Sequence, residues 1–220
     1  MSFADSTVAA RVVVEDTPYA LLNGAERYIH ETRDRALFAM LARRGVERLS
    51  GLRLLELGCG EGALLRTLQH HGADRVVGVE IDRGRAAYAT AYAPVAVGDA
   101  AALPYRDGSF DVVFAFTSLS SMPDRDGRRF AFAEAMRVLR PGGLAIVYDF
   151  WINPLNRRAR PLGARELRAL AAPRPVEIER VTLAPPVVRV LGGRRSLCAP
   201  LERLSLLRTH LLAAVEKESN

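Results

Sequence analysis

The chain has 220 residues, enough for one generous domain or a domain with a covering segment, and cramped for two full domains. Hydrophobic residues make up 49% and charged residues 25%, a globular mix that excludes a disordered, fibrous or disulfide-stapled chain. The net charge is +6, but Lys217 is the only lysine among 31 basic residues and acids are interspersed with the arginines, so the charge reads as composition rather than as a nucleic-acid arm.

Cys59 and Cys198 lie far apart and outside any CxxC or Cys/His grouping, so no metal site is expected and a reducing compartment, the cytoplasm, is. The start MSFADST lacks the basic-then-apolar order of a secretory signal. The most apolar run, 142–152, is interrupted by Asp149 and too short to span a bilayer. Neither a membrane nor a nucleic acid is an expected partner.

Residues 1–50 read as an N-terminal helical cap, in which 33–44 carries apolar residues at helical spacing and stops before Gly45. The pattern then changes. LRLLEL (52–57) is a short apolar strand, 58–62 a glycine-rich turn and 63–71 a helix. Strands follow at 75–80, 94–99, 110–116 and 143–150, with helices at 83–92 and 126–139 between them. A helix at 163–170 and a strand at 176–183 come next, then a stretch with prolines and arginines. Residues 209–217 fit a seventh strand, although their periodicity also suits a helix.

This alternation predicts an α/β fold, a doubly wound seven-stranded Rossmann-like sheet with an N-terminal helical cap. The expected division is a cap (1–50), a ligand-binding core (51–183), a lid insertion (184–208) and the last core strand with the C-terminus (209–220). Ligands of such sheets bind outside the carboxyl ends of the strands.

The segment LLELGCGEG (54–62) leads from a strand through three glycines into a helix. Glycines permit a sharp turn and let a ligand approach the backbone closely. Two cofactor readings compete. Gly58-x-Gly60-x-x-Ala63 with Glu80 about 20 residues on fits a dinucleotide fingerprint. Glu56 and Gly62 are unexplained by it and suit a nucleoside bearing an amino acid, whose ammonium a carboxylate attracts.

Glu56-Leu-Gly58-Cys-Gly60-Glu-Gly62, followed in order by GVEID (78–82), GDAAALP (98–104), DGSFDVV (107–113) and LRPGG (139–143), resembles the motif set of class I S-adenosylmethionine-dependent methyltransferases. The resemblance covers about 52–150. The tail (YDFWINP, LAPP, RTHLL) is similar to a bacterial subset, some of which modify glycans or secondary metabolites. It implies S-adenosyl-L-methionine as cofactor and assigns roles. Gly58, Cys59 and Gly60 would pass under the methionine part, with Glu56 nearby. Glu80 would accept from both ribose hydroxyls and Ile81 would pack on the adenine. Asp99 and the Ala100 N–H would bind the adenine edge, and Phe116 and Thr117 would line the methyl-transfer mouth.

The acceptor is less marked. After the fourth strand stands FTSLSSMPD (116–124), without the Asn/Asp-Pro-Pro-aromatic motif of nucleic-acid amine methylation, and Ser120 and Ser121 stand where many small-molecule members carry a histidine. The cysteines lie in the glycine turn and the expected lid, so neither reads as a nucleophile. Asp149, at the end of the fifth strand, and His210, at the start of the seventh, are the candidate bases. Tyr19, Arg27 and Tyr28 are candidates to close over the cofactor, and the arginines of 153–160 to hold an anionic substrate.

The expected activity is methyl transfer to a small-molecule or glycan-type acceptor, on oxygen, by a monomer or homodimer. A nicotinamide-dependent oxidoreductase and a non-catalytic S-adenosylmethionine-binding protein are the alternatives.

Overall fold

The computed structural model describes residues 22–152 and 160–219. Tyr19 and residues 153–159 of the arginine-rich stretch lie outside the described residues. In chain order the elements are α1 (Gly24–Arg43), β1 (Arg53–Leu57), α2 (Ala63–His70), β2 (Arg75–Glu80), α3 (Arg83–Ala89), β3 (Val95–Val97), β4 (Phe110–Phe116), α4 (Arg125–Val138), β5 (Leu139–Phe150), α5 (Ala164–Ala171), β6 (Val176–Leu183), α6 (Pro185–Val190), α7 (Arg195–Glu202) and β7 (Arg208–Glu216). Short 3-10 turns occupy Leu119–Ser121 and Ser205–Leu207. No helix among the described residues is long and apolar enough to cross a membrane.

The strands form one seven-stranded sheet in the order β3-β2-β1-β4-β5-β7-β6. The first five strands pair in parallel, and β7 runs antiparallel to β5, so the sheet is mixed. Chain direction across the sheet reverses between β1 and β4, which makes their carboxyl ends the switch point where α/β sheets open a crevice. The pairing of Leu144–Phe150 with 210–216 settles the ambiguous segment near the C-terminus as a strand.

Other differences from the expected elements have local causes. α1 starts at Gly24 rather than 33, because Asn23 caps it by accepting the Glu26 N–H at 3.0 Å, and its polar first turns hide the helical spacing. β5 starts at Leu139, because Leu139 pairs with Phe110 before a register shift carries the chain through Gly142 (φ 69°). β3 keeps only Val95–Val97.

Register fixes which side chains share a face, because paired residues point to the same side. Leu55, Leu57, Val113, Ala115, Ala145, Val147, Ala213 and Val215 form one face and pack on Ala131, Phe132, Ala135 and Met136 of α4 and on Leu167 and Ala171 of α5. Glu56, Gly78, Glu80, Phe114, Phe116, Ile146, Tyr148, Phe150 and His210 belong to the other. The strand interiors are buried on both faces, which is why β1, β4 and β5 are mainly apolar rather than alternating apolar and polar.

The chain divides into two compact units, Arg48–Glu179 with His210–Asn220, and Met1–Glu47 with Arg180–Thr209. The larger holds the sheet from β1 to β5. In the smaller, Ala25 and Tyr28 of α1 pack with Leu183, Val188 and Cys198. The segments expected as a separate cap and lid thus share one small core.

Candidate cofactor site at the carboxyl ends of β1, β2 and β4

The glycine turn after β1 is tied to the end of β2. The Cys59 N–H donates to the Val79 carbonyl at 3.0 Å, and the Gly60 N–H donates to Glu80 Oε2 at 2.8 Å. Gly58 (φ 63°) and Gly60 (φ 56°) are left-handed, a conformation that costs other residues about 1–2 kcal/mol. Space excludes a side chain as well. A Cβ on Gly58 would lie 2.8 Å from Ser118 Cβ, and one on Gly60 would overlap the Arg85 guanidinium. Gly62, which starts α2, packs against Ala89 and Tyr92.

Glu80 is buried, and its second oxygen, Oε1, accepts the Asp82 N–H at 3.0 Å. Each oxygen therefore holds one backbone donor and keeps acceptor capacity, since a carboxylate offers about four lone-pair positions. Ile81 follows immediately and is 70% exposed, which no core role explains. Asp99, also exposed, accepts the Ala101 N–H at 2.8 Å beside the buried Ala100. Glu56 is buried on the same face as Glu80. Burial, with Glu56 and Glu80 nearby, pushes the Cys59 thiol up to about 12, which makes it a packed apolar group rather than a nucleophile.

Beyond β4, Thr117 is left-handed (φ 52°), an outlier for a β-branched residue. Its N–H donates to the Tyr148 carbonyl at 2.7 Å and its hydroxyl to the Phe116 carbonyl at 2.8 Å. Phe116 begins an aromatic row. Its ring centroid is 5.2 Å from Tyr148, Tyr148 stacks on His210 at 4.7 Å and 7°, and Phe150 lies 4.2 Å from His210.

The two candidate bases point to opposite faces of the sheet. His210, buried, is opposite Phe150 in register and shares the face of Glu56, Glu80 and Phe116. Asp149, opposite Leu211, lies on the α4–α5 face. Its Oδ2 accepts the Ser120 N–H at 2.8 Å and its Oδ1 the Phe150 N–H at 2.8 Å. Burial raises its pKa, and the bonds from Ser120 and Phe150 and the charge of Arg128 oppose that rise. Arg27 and Tyr28 belong to the smaller unit, Tyr28 within its core.

Sequence reasoning missed Ser118 and Arg128. Ser118 is one serine among several, and an arginine in an arginine-rich helix reads as solvated. Arg128 is instead 2% exposed.

The residues fit S-adenosylmethionine. Gly58 and Gly60 hold the turn in a left-handed backbone conformation that favours glycine, Glu80 has acceptor capacity suited to a diol, and Ile81 offers an apolar face next to it.

Comparison with known proteins agrees. Residues 55–147 match the family described as a methyltransferase domain. The 2-methyl-6-phytyl-1,4-hydroquinone methyltransferase of Synechocystis sp. is 35% identical over 127 residues, 49% of this chain and 39% of that protein. The 27-O-demethylrifamycin SV methyltransferase of Amycolatopsis mediterranei is 38% identical over 114 residues, 48% of this chain and 41% of that protein. The chain thus spans about four-tenths of the length of these curated relatives. The crystal structure of an S-adenosylmethionine-dependent methyltransferase from Mesorhizobium loti superposes with a TM-score of 0.60 at 19% identity, over 83% of this chain and 98% of that one. At that identity the likeness concerns the fold.

Proposed function

We propose, for a chain whose residues 55–147 match a methyltransferase domain, that the protein transfers a methyl group from S-adenosylmethionine to a hydroxyl of a small-molecule acceptor, of glycan or secondary-metabolite type. One observation carries the cofactor half of the reading. The buried Glu80 carboxylate ties down the glycine turn through the Gly60 N–H while keeping acceptor capacity for a ribose diol. The acceptor half rests on similarity: both relatives described above carry small-molecule acceptors in their names, and one of those names denotes O-methylation. The nicotinamide alternative has against it Glu56, Gly62 and the ordered match over 55–147.

When bound, the cofactor supplies an electrophilic methyl on a sulfonium, and the protein's task is position and proton removal. Ile81, Asp99 and the Ala100 N–H hold the adenine, and Phe116 and Thr117 border the mouth. His210 takes the acceptor's proton, a role supported by its place on the face of Glu56, Glu80 and Phe116 and by the acceptor nitrogen that a neutral imidazole carries. Asp149 lies on the other face with both oxygens engaged by backbone donors, which favours holding the loop over acting as a base.

Calorimetric titration with S-adenosylmethionine, S-adenosylhomocysteine and NADH, followed by release of S-adenosylhomocysteine in a screen of hydroxylated small molecules, tests both halves. Binding of NADH alone returns the glycine turn to the dinucleotide class. Tight binding with no turnover on any acceptor leaves the non-catalytic binding protein as the better reading. His210→Gln should lower kcat at least tenfold with unchanged S-adenosylhomocysteine affinity; full turnover in this variant removes His210 from the mechanism.

A further inference from the structure

The loop between β4 and α4 is held by two buried charges. From one side Asp149 accepts the Ser120 N–H. From the other, Arg128 reaches out of α4 and donates to the Leu119 carbonyl through Nε at 2.9 Å. The same guanidinium donates to the Arg160 carbonyl and pairs with Glu166 of α5 at 3.0 Å. The Arg160 N–H closes the ring by donating to the Ser120 carbonyl at 3.1 Å. A buried arginine and a buried aspartate are costly to desolvate, and each gives one of its hydrogen bonds to the main chain of residues 117–121.

That segment is strained at Thr117, and it carries a polar group without a partner. Ser118 is 9% exposed, and its hydroxyl has no hydrogen-bond partner among the described residues. The hydroxyl lies against the glycine turn: the position a Cβ on Gly58 would take is 2.8 Å from Ser118 Cβ and 3.8 Å from its Oγ. Buried hydroxyls are almost always paired, because leaving one unpaired sacrifices its bonds to water. An unpaired hydroxyl beside the glycine turn, on a strained and doubly anchored loop, marks a group whose partner is a ligand.

We propose that Ser118 Oγ binds the aminoacyl end of the cofactor at Gly58, and that Asp149 and Arg128 are positioning residues that hold 117–121 in the conformation this requires. The inference rests on the cofactor reading above. Ser118 is a hydrogen-bonding partner of the ligand, whereas Asp149 and Arg128 act through the loop and touch no ligand.

Wild-type binding of S-adenosylhomocysteine is measured first; its failure defeats the cofactor reading itself. Where it binds, calorimetry compares it with 5′-methylthioadenosine, which keeps the nucleoside and lacks the aminoacyl group. Ser118→Ala should weaken S-adenosylhomocysteine roughly tenfold, one hydrogen bond to a charged group. It should leave methylthioadenosine affinity unchanged and the ligand-free melting temperature equal or higher, since it removes an unsatisfied group. Asp149→Asn should weaken S-adenosylhomocysteine as well, and adding Ser118→Ala to it should cost nothing further, because the loop no longer presents the hydroxyl. Arg128→Lys, which keeps the charge, should retain more affinity than Arg128→Met. Unchanged S-adenosylhomocysteine affinity in Ser118→Ala, or equal losses for both nucleosides, overturns the ligand role. Additive losses in the double variant overturn the positioning role, and that result can be read even if the Arg128 variants fail to fold.

Discussion

The proposed cofactor site gives Glu80 two tasks, tying down the glycine turn and binding the ribose, and replacing it would separate them. In the ligand-free protein it holds the Gly60 N–H at 2.8 Å and the Asp82 N–H at 3.0 Å. In the complex it would also take the ribose hydroxyls. Glu80→Gln keeps size and one oxygen, but the amide nitrogen then faces a backbone N–H or a ribose hydroxyl. A hydrogen bond to a charged group is worth about 1.5–3 kcal/mol, so S-adenosylhomocysteine should bind roughly 10–150-fold more weakly. The ligand-free protein should lose about 1 kcal/mol from the strained tether, a melting shift of about 2–4 °C at this chain length. Calorimetric titration and thermal melts read the two effects separately. If the melting temperature falls while affinity stays at the wild-type value, Glu80 only builds the turn and the ribose contact is refuted.

Gly58→Ala forces a left-handed alanine whose Cβ lies 2.8 Å from Ser118 Cβ, so it should cost about 1–3 kcal/mol of stability and abolish measurable cofactor binding; a variant that melts and binds as wild type contradicts the role given to the turn. Asp111 is raised by burial but lowered more strongly by bonds from Arg53 and Arg140, which bring it to about 2. Its folded pKa thus lies below the unfolded value, so its stabilisation is complete above about pH 4 and fades as pH falls toward 2. With both arginines nearly half exposed, that stabilisation is about 1–2 kcal/mol, and the gap in urea midpoint between wild type and Asp111→Asn should shrink by about half from pH 7 to pH 3. Cys59 and Cys198 are both buried with raised pKa, so a thiol reagent at pH 8 should titrate no cysteine in the native protein and two in denaturant; fast native labelling would show that the turn opens.

The sheet was legible because its strands are apolar on both faces and bounded by turns, so Leu54–Leu57, Val112–Phe116 and Leu144–Val147 stand out without context. The turn was legible because Gly58, Gly60 and Gly62 are each imposed by backbone and space together. The rest depends on tertiary partners. α1 begins in a polar stretch whose start is set by one asparagine cap. Ser118 and Arg128 gain their significance from where a neighbouring loop or helix brings them, and nothing in their local sequence marks that.

The same limit explains why Asp149 and His210 looked equivalent as strand-end acid–base groups. A strand alternates its side chains, so a residue's face follows from parity, and parity across strands follows from register. Asp149 is two residues beyond Val147, which packs in the α4–α5 core, and this parity sends its carboxylate toward Arg128 and the Ser120 N–H. β7 enters antiparallel with His210 opposite Phe150, so the imidazole joins Tyr148 and Phe116 on the face of Glu56 and Glu80. Had β7 paired one residue out of step, His210 would face α4 and α5 instead. The proposed division of labour, His210 as proton acceptor on one face and Asp149 holding the loop on the other, therefore rests on a single register. It predicts different pH behaviour for the two variants: Asp149→Asn should leave the acidic limb of the kcat profile in place, and His210→Gln should remove it. Loss of that limb in Asp149→Asn with retention in His210→Gln would reverse the assignment.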